Sequence, residues 1–358
     1  MRKNEISPEM ENSAKIKEEK NIARTQWYLI YRQFRKHKLA VIGVVVLLIF
    51  YGCGVFLPEF MAPYGKFTEF EDTYLPPQSI HFVDQEGNFH IRPFTYEWQK
   101  EMDPETWQMS YTQDKSNPLP LYFLVKGEKY KLLGLFETDL HLFGVEDGDI
   151  FLFGTDDLGR DMFSRIFYAL RISLTIGFVG VAISFVMGMI LGGMSGLIGG
   201  TLDDIIQRLI EMLMSIPRIP LWMALAAAVP QEWSALQVYF AITVLLSLMG
   251  WTGLARVIRS KILSIREEDF VKAAESFNTP IMSIISRHLF PNMISYVIVR
   301  LTLTIPGMIL AETSLSFLGI GLRPPVVSLG VLLQRAQNFQ TVSMHPWLLI
   351  PGLFVVIA

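Results

Sequence analysis

At 358 residues, with 51% hydrophobic and 18% charged side chains, a formal net charge of −3 and a mean hydropathy of +0.34, the chain is too apolar and too sparsely charged for a soluble globular protein. Its single cysteine, Cys53, excludes an internal disulfide. A membrane protein remains, and the apolar residues fall in blocks near 39–58, 172–200, 205–229, 236–258, 292–320 and 346–358. A helix of about 20 residues is about 30 Å long and matches the hydrocarbon core. The expected fold is an all-α polytopic membrane protein with about six transmembrane helices, the last incomplete at Ala358.

Residues 1–38 hold ten Lys and Arg and end in RQFRKHK, which places them in the cytoplasm by the positive-inside rule, with an interfacial helix over 26–38. The first span, 39–58, is followed by no small-residue cleavage site and reads as an uncleaved anchor. Alternating spans then put 59–161 outside, the joint near 201 inside and 259–291 inside. Charge agrees: six basic residues lie in 256–291 and none in the outer turn VPQEWSALQ.

The outer segment 59–161 reads as a small β-rich extracytoplasmic insert between helices 1 and 2. Two hairpin patterns carry this reading, one turning at Glu86-Gly87-Asn88 and one at Lys126-Gly127-Glu128. With 20 acidic and eight basic residues, a net of −12, the segment is expected to be a solvated face that binds neither lipid nor nucleic acid. Its acidic run Glu146, Asp147, Asp149, Asp156, Asp157 and Asp161 has oxygen ligands for a hard cation, but its spacing does not fit a calcium loop. Acidic turns and helix caps are the commoner use, and Asp161 is placed to cap the second span.

The core, 162–358, begins with that span. Gly188, Gly192, Gly196 and Gly200 recur every four residues, an interval that lets another helix backbone approach closely in lipid. Gly193-Met194-Ser195-Gly196 matches the serine pattern of intramembrane proteases, yet none of the six histidines lies deep in a span to serve as base. The third helix enters with Asp204, Arg208 and Glu211 at spacings that allow pairing along one side, before Pro217 and Pro220 bend it. Glu211 is thus a candidate for a water-filled path or a subunit contact, against an interfacial ion pair. Arg300 and Glu312, inside the fifth span, raise the same choice; for Glu312 the alternatives are snorkelling and a hydrogen bond to a neighbouring helix.

Between the fourth and fifth spans lies EEDFVKAAESFNTPIMSIISRHLFPN, residues 267–292. Ser264 to Phe277 is predicted as a helix ended by Asn278, and Thr279 with Pro280 starts a second helix with an apolar side of Ile281, Ile284, Ile285 and Leu289. The corner is expected to project into the cytoplasm. A helix lying on lipid headgroups is the competing reading, but Glu267-Glu268-Asp269 would be repelled by anionic lipid.

This stretch resembles the coupling motif of ABC-importer permeases, a Glu-Ala-Ala followed by a Gly and then a Leu-Pro. Lys272-Ala273-Ala274, Asn278 and Phe290-Pro291 occupy those places, with Lys for Glu, Asn for Gly and Phe for Leu. GTDDLGRDMFSRIFYALRISL, IPRIPLW and AETSLSFLGIGLRPPVVSLG further resemble the C-type permease subunit of dipeptide and oligopeptide importers, in which Trp usually stands at the place of Leu329. The likeness is close over 154–358 and loose over 25–60, and the insert is longer than the common pattern.

The resemblance implies a type I importer permease in the cell membrane that passes peptides inward. Its implied partners are a homologous second permease, two ATPase subunits and an extracytoplasmic binding protein, with lipid around the spans. Val271, Lys272, Ala273, Ala274, Glu275, Ser276, Phe277, Asn278, Thr279 and Pro280, within a coupling segment 260–291, would seat on an ATPase. The chain has no phosphate-binding loop of its own, so ATP and Mg are expected on the partners and no catalytic, cofactor or metal site here. Nickel importers share these motifs. A membrane-anchored receptor would need no coupling corner, and an embedded enzyme would need a catalytic group at depth.

Overall fold

The computed structural model describes residue 28 and residues 31–102, 109–277, 279–280 and 283–358. Its contacts divide the chain into two units, Met1–Phe50 and Tyr51–Ala358. In the first, residues 31–36 are helical, the helix stops at His37, and α1 (Lys38–Ile49) follows. The remainder of the expected basic segment, 1–27 and 29–30, lies outside the described residues.

In the second unit α2 (Pro58–Met61) leads into five strands: β1 (His81–Val83), β2 (Phe89–Met102), β3 (Met109–Pro120), β4 (Tyr122–Leu132) and β5 (Phe136–Gly144). The first three form an antiparallel sheet in the order β1-β2-β3, and β4 pairs with β5 as a separate antiparallel hairpin. The β1–β2 turn closes around Asp84, whose carboxylate accepts the amides of Glu86 and Asn88. The second expected turn is misplaced. Gly127 sits within β4, where pairing jumps from Lys126↔Leu140 to Tyr130↔Thr138, and the chain reverses at Leu133 and Gly134. The physical reason is the His141 ring: a Cβ on Gly127 would stand 2.7 Å from its Cδ2, so this glycine serves a close approach inside a bulge.

The helical part runs α3 (Met162–Ile198), α4 (Gly200–Ser215), α5 (Arg218–Ala227), α6 (Ala235–Ile265), α7 (Asp269–Ser276), a π-type turn (Ile284–Leu289), α8 (Phe290–Phe317), α9 (Leu329–Gln334), α10 (Phe339–Met344) and α11 (Ile350–Ile357). Asp161 caps α3, its carboxylate accepting the amides of Phe163 and Ser164. Ser234 and Gln237 form a reciprocal capping box at the start of α6.

Four helices are long and apolar enough to cross a membrane: Lys38–Phe56, Met162–Ile198, Ala235–Ile265 and Met293–Phe317. The pair α4 and α5, bent by 89° before Pro217, makes a fifth if it counts as one span, and Pro346–Ile357 is shorter. The six similar helices expected from hydropathy are thus four straight spans, one broken one and a short apolar helix among the described residues. Pro217 has no N–H to continue α4, which accounts for the break.

Helices α3 and α6 pack against each other along the core. Ile176, Val181, Ile242, Leu246, Met308 and Leu315 form one buried cluster, and Leu254, Ile258, Ile262, Val271, Ile284 and Leu289 another. Of the four-apart glycines, three serve this packing. A Cβ on Gly188 would stand 3.0 Å from Leu254 atoms, on Gly192 2.5 Å from the Ala255 carbonyl oxygen, and on Gly196 2.9 Å from the Ile262 Cβ. Gly200 departs from the expectation. It faces open space at φ +58, next to Gly199 at φ +69, and the two left-handed glycines break α3 from α4 instead of packing a helix.

Candidate functional site

The segment between α6 and α8 differs from the single helix Ser264–Phe277 expected for its first half. Helix α6 ends at Ile265, a turn closed by the Glu268 amide on the Ile265 carbonyl follows, and α7 begins at Asp269. This turn lays Val271 and Ala274 into the cluster that holds Ile284, Ile285 and Leu289. Val271 is fully buried and Ala274 nearly so. Lys272, Ala273 and Ser276 face outward, and Phe277 is 84% exposed. The projecting face is therefore Lys272, Ala273, Ser276 and Phe277, while Ala274 belongs to the support beneath it.

Lys272 pairs with Glu267 at 3.2 Å and holds that carboxyl below its ordinary range. The Thr279 amide bonds to the Ala274 carbonyl and the Pro280 carbonyl accepts from Ser283 and Ile284, which turns the chain back toward α8. Asn278 and Ile281 lie outside the described residues, as does the side chain of Glu275.

Four polar clusters brace the spans, those around Glu312 and Asp156 buried and those around Asp203 and Arg171 part-buried. Asp203, on the first turn of α4, accepts from the Arg259 Nε of α6 at 2.6 Å and from the Ser195 hydroxyl of α3, to which Gln207 Nε2 also donates at 3.1 Å. The serine that matched a protease pattern is thus tied to a carboxylate and an amide. Glu312, on α8, is fully buried and accepts hydroxyls from Ser173 at 3.0 Å and from Ser316 and Ser328 at 2.8 Å. It does not snorkel. Ser328 in turn caps α9, and the Leu329 amide donates to Ser173, so one carboxylate fixes α3, α8 and α9 together.

At the Met162 end, Asp156 takes the guanidinium of Arg160 through Nε at 2.9 Å and Nη2 at 2.7 Å, and also pairs with Arg165. Asp157 pairs with Arg335 at 2.8 Å. These arginines occupy Asp156 and Asp157, two of the six carboxylates of the acidic run, while Asp161 is taken up by the cap of α3. Arg171 donates to the Val55 carbonyl at 2.8 Å and pairs with Glu59. Asp203 with Arg259, Glu312 with Ser173, Asp157 with Arg335 and Arg171 with Glu59 are each more than 50 residues apart, so local spacing could not reveal these pairs.

The remaining candidates lie on the surface. Glu211 pairs with Arg208 at 3.0 Å, and both side chains are exposed. Arg300 is exposed on α8, its Nη2 lying 3.2 Å from where a Gly253 Cβ would be. A cleft of about 1170 Å³ opens between the β4–β5 hairpin and α3, lined by Glu128, Tyr130, His141, Tyr168, Arg171 and Thr175 among others.

Several apolar helices, buried charge pairs between them and a short amphipathic helix projecting from one end define a multi-pass membrane component. Residues 184–358 match the family described as binding-protein-dependent transport system inner membrane component, and residues 25–77 match the N-terminal TM domain of oligopeptide transport permease C. The two matches together take in 228 of the 358 residues, and over them the chain is similar to the C-type permeases. It is 38% identical over 202 residues to the dipeptide transport system permease protein DppC of Bacillus subtilis, covering 56% of this chain and 61% of that one. Identity is 38% over 201 residues to the oligopeptide transport system permease protein OppC of Haemophilus influenzae, covering 56% and 62%, and 31% over 203 residues to OppC of Bacillus subtilis, covering 56% and 64%. The chain thus spans about three fifths of the length of these curated relatives.

Proposed function

We propose that this chain is a transmembrane permease subunit of an ABC importer that carries di- or oligopeptides into the cytoplasm, driven by ATP hydrolysis on partner subunits. The observation that carries the proposal is α7: a short helix whose Val271 and Ala274 lock into the membrane core while Lys272, Ala273, Ser276 and Phe277 stand free for a partner. Such a helix transmits a push on its outer face to α6 and α8 as a rigid body. The peptide substrate follows the names of the relatives and the binding protein follows the family's description, while a second permease and two ATPases binding ATP and Mg are part of the proposal. In this reading the amino end and α7 are cytoplasmic, and the strands between α2 and α3 lie on the outer face where the binding protein delivers substrate. Glu211 and Arg300, exposed on α4 and α8, are available to the second permease.

The test is co-expression with candidate permease, ATPase and binding-protein subunits from the same organism, followed by reconstitution in proteoliposomes. Uptake of labelled di- or oligopeptides that requires internal ATP and the binding protein is the expected result. ATP-dependent uptake of nickel chelates without peptide uptake would overturn the substrate, and assembly without any ATPase would overturn the machine.

A further inference from the structure

We propose that the tip of the β4–β5 hairpin, Leu133 to Phe136, is a membrane-interface anchor that dips into the lipid headgroup region beside α3. The inference rests on the chain being a multi-pass membrane protein and concerns a surface outside the coupling helix. It starts from a turn of unusual chemistry. A tight hairpin turn with left-handed residues favours Asn-Gly or Asp-Gly, yet here Leu133 adopts φ +52 before Gly134, within the run Leu132-Leu133-Gly134-Leu135-Phe136. Leu133, Leu135 and Phe136 are 50%, 75% and 67% exposed. A leucine in a strained conformation, pointing outward among other exposed apolar side chains, is costly in water and favourable in an apolar phase.

The hairpin's course says what that phase is. Its base packs on the start of α3, the Phe143 and Phe163 rings being 5.2 Å apart. Further along, Glu128, Tyr130 and His141 face Tyr168 and Arg171 across the shared cleft. From Phe163 to Arg171 the helix advances about 12 Å, and from Phe143 to Thr138, the partner of Tyr130, the strand advances about 17 Å. The hairpin therefore follows α3 from its Met162 end, and the tip lies a further three to five residues on, about 10–17 Å.

The membrane boundary falls at the same level. With 37 residues, α3 is roughly 56 Å long, well beyond the roughly 30 Å core. Its first turns carry Arg165 and Arg171, paired with Asp156 and Glu59, which belong outside hydrocarbon. From Ile172 onward about 40 Å of helix remains, enough to cross. A two-stranded hairpin has unpaired edges and cannot enter the core, so the headgroup region is its limit. Lys129 and Lys131 stand exposed just above the tip, Lys131 pairing with Glu137 at 3.4 Å on the surface, and both are within reach of lipid phosphates. On this proposal the acidic segment would meet lipid at one place, the hairpin, where Lys126, Lys129 and Lys131 balance Glu128, Glu137 and Asp139.

The test uses the assembled transporter in lipid nanodiscs, with Cys53→Ser and single spin-labelled cysteines at Leu135→Cys, Phe136→Cys, Glu86→Cys in the other hairpin, and Leu48→Cys in α1. Accessibility is read with oxygen and with a water-soluble nickel chelate. We expect the oxygen-to-nickel ratio at 135 and 136 to rise several-fold above that at 86 and to approach that at 48. A ratio equal to that at 86 overturns the anchor, leaving the tip in water. Exclusion of both reagents also overturns it, because a protein partner then covers the tip. An aqueous reading at 48 removes the membrane-spanning reading itself, and the anchor with it.

Discussion

Asp161 shows how one side chain can be read from the sequence while its electrostatics cannot. A cap immediately before an apolar run is a local signal, and both amide bonds form. Its burial, set by residues far along the chain, raises its pKa from 3.8 to about 6 by desolvation, partly offset by the Ser164 bonds. The folded chain thus holds a proton between about pH 4 and pH 6 that the unfolded chain releases. Stability contributed at this site is greatest below the ordinary aspartate range and falls as pH rises through the window, by at most about 3 kcal/mol. Asp161→Asn keeps a good cap and cannot titrate. Unfolding of the two proteins in detergent at several pH values should therefore diverge between pH 4 and 6; parallel curves would show that the carboxyl ionises freely. The ties that escaped the sequence are of another kind. Ser173 and Ser328 meet Glu312 from 139 and 16 residues away, and Asp203 meets Arg259 from 56. No local spacing encodes such a pair, only the packing of α3 on α6 and α8.

At the scale of elements, the same four-residue glycine interval does two jobs, and periodicity alone could not separate them. Gly192 allows α3 to touch the α6 backbone, with Ala255 Cα 2.8 Å from the missing Cβ, whereas Gly200 has an empty environment and a left-handed backbone. Adding a methyl group therefore acts differently at each. Gly192→Ala must push two backbones apart and should cost about 1–3 kcal/mol. Gly200→Ala meets no neighbour and should cost about 1–2 kcal/mol, through backbone strain alone. The distinguishing measurement is disulfide or spin-label distance between α3 and α6, which should lengthen for Gly192→Ala and stay unchanged for Gly200→Ala. Equal distances in both variants would mean that the helices are not in contact at Ala255. Glycine in β4 carried the opposite error: Gly127 looked like a turn and is a gap for the His141 ring. Apolar blocks located the four long spans because burial in lipid needs only composition, while the bend at Pro217 and the breaks at Gly199 and Arg266 depend on where the chain must turn to keep its core.

Across the whole molecule, the proposed work depends on separating what holds α7 from what α7 presents. Val271 is buried beneath the corner with Ile284 and Leu289, so Val271→Asp places an unpaired charge in an apolar cluster and should lower the amount of folded protein, with a stability loss of about 3 kcal/mol or more. Phe277, 84% exposed, belongs to no buried cluster among the described residues. If it fills a hollow in an ATPase, Phe277→Ala should leave the isolated permease as stable as before while weakening ATPase binding by about tenfold or more, the scale of a buried aromatic anchor. Binding-protein stimulation of ATP hydrolysis should fall with it. The two variants give opposite pairs of outcomes, folded but uncoupled against poorly folded, and the contrast is what a push transmitted through a rigid corner requires. A stable Phe277→Ala transporter with full ATPase binding and full stimulated hydrolysis would move the contact away from Phe277. The exposed Lys272 and Ala273 are the next positions that the geometry offers.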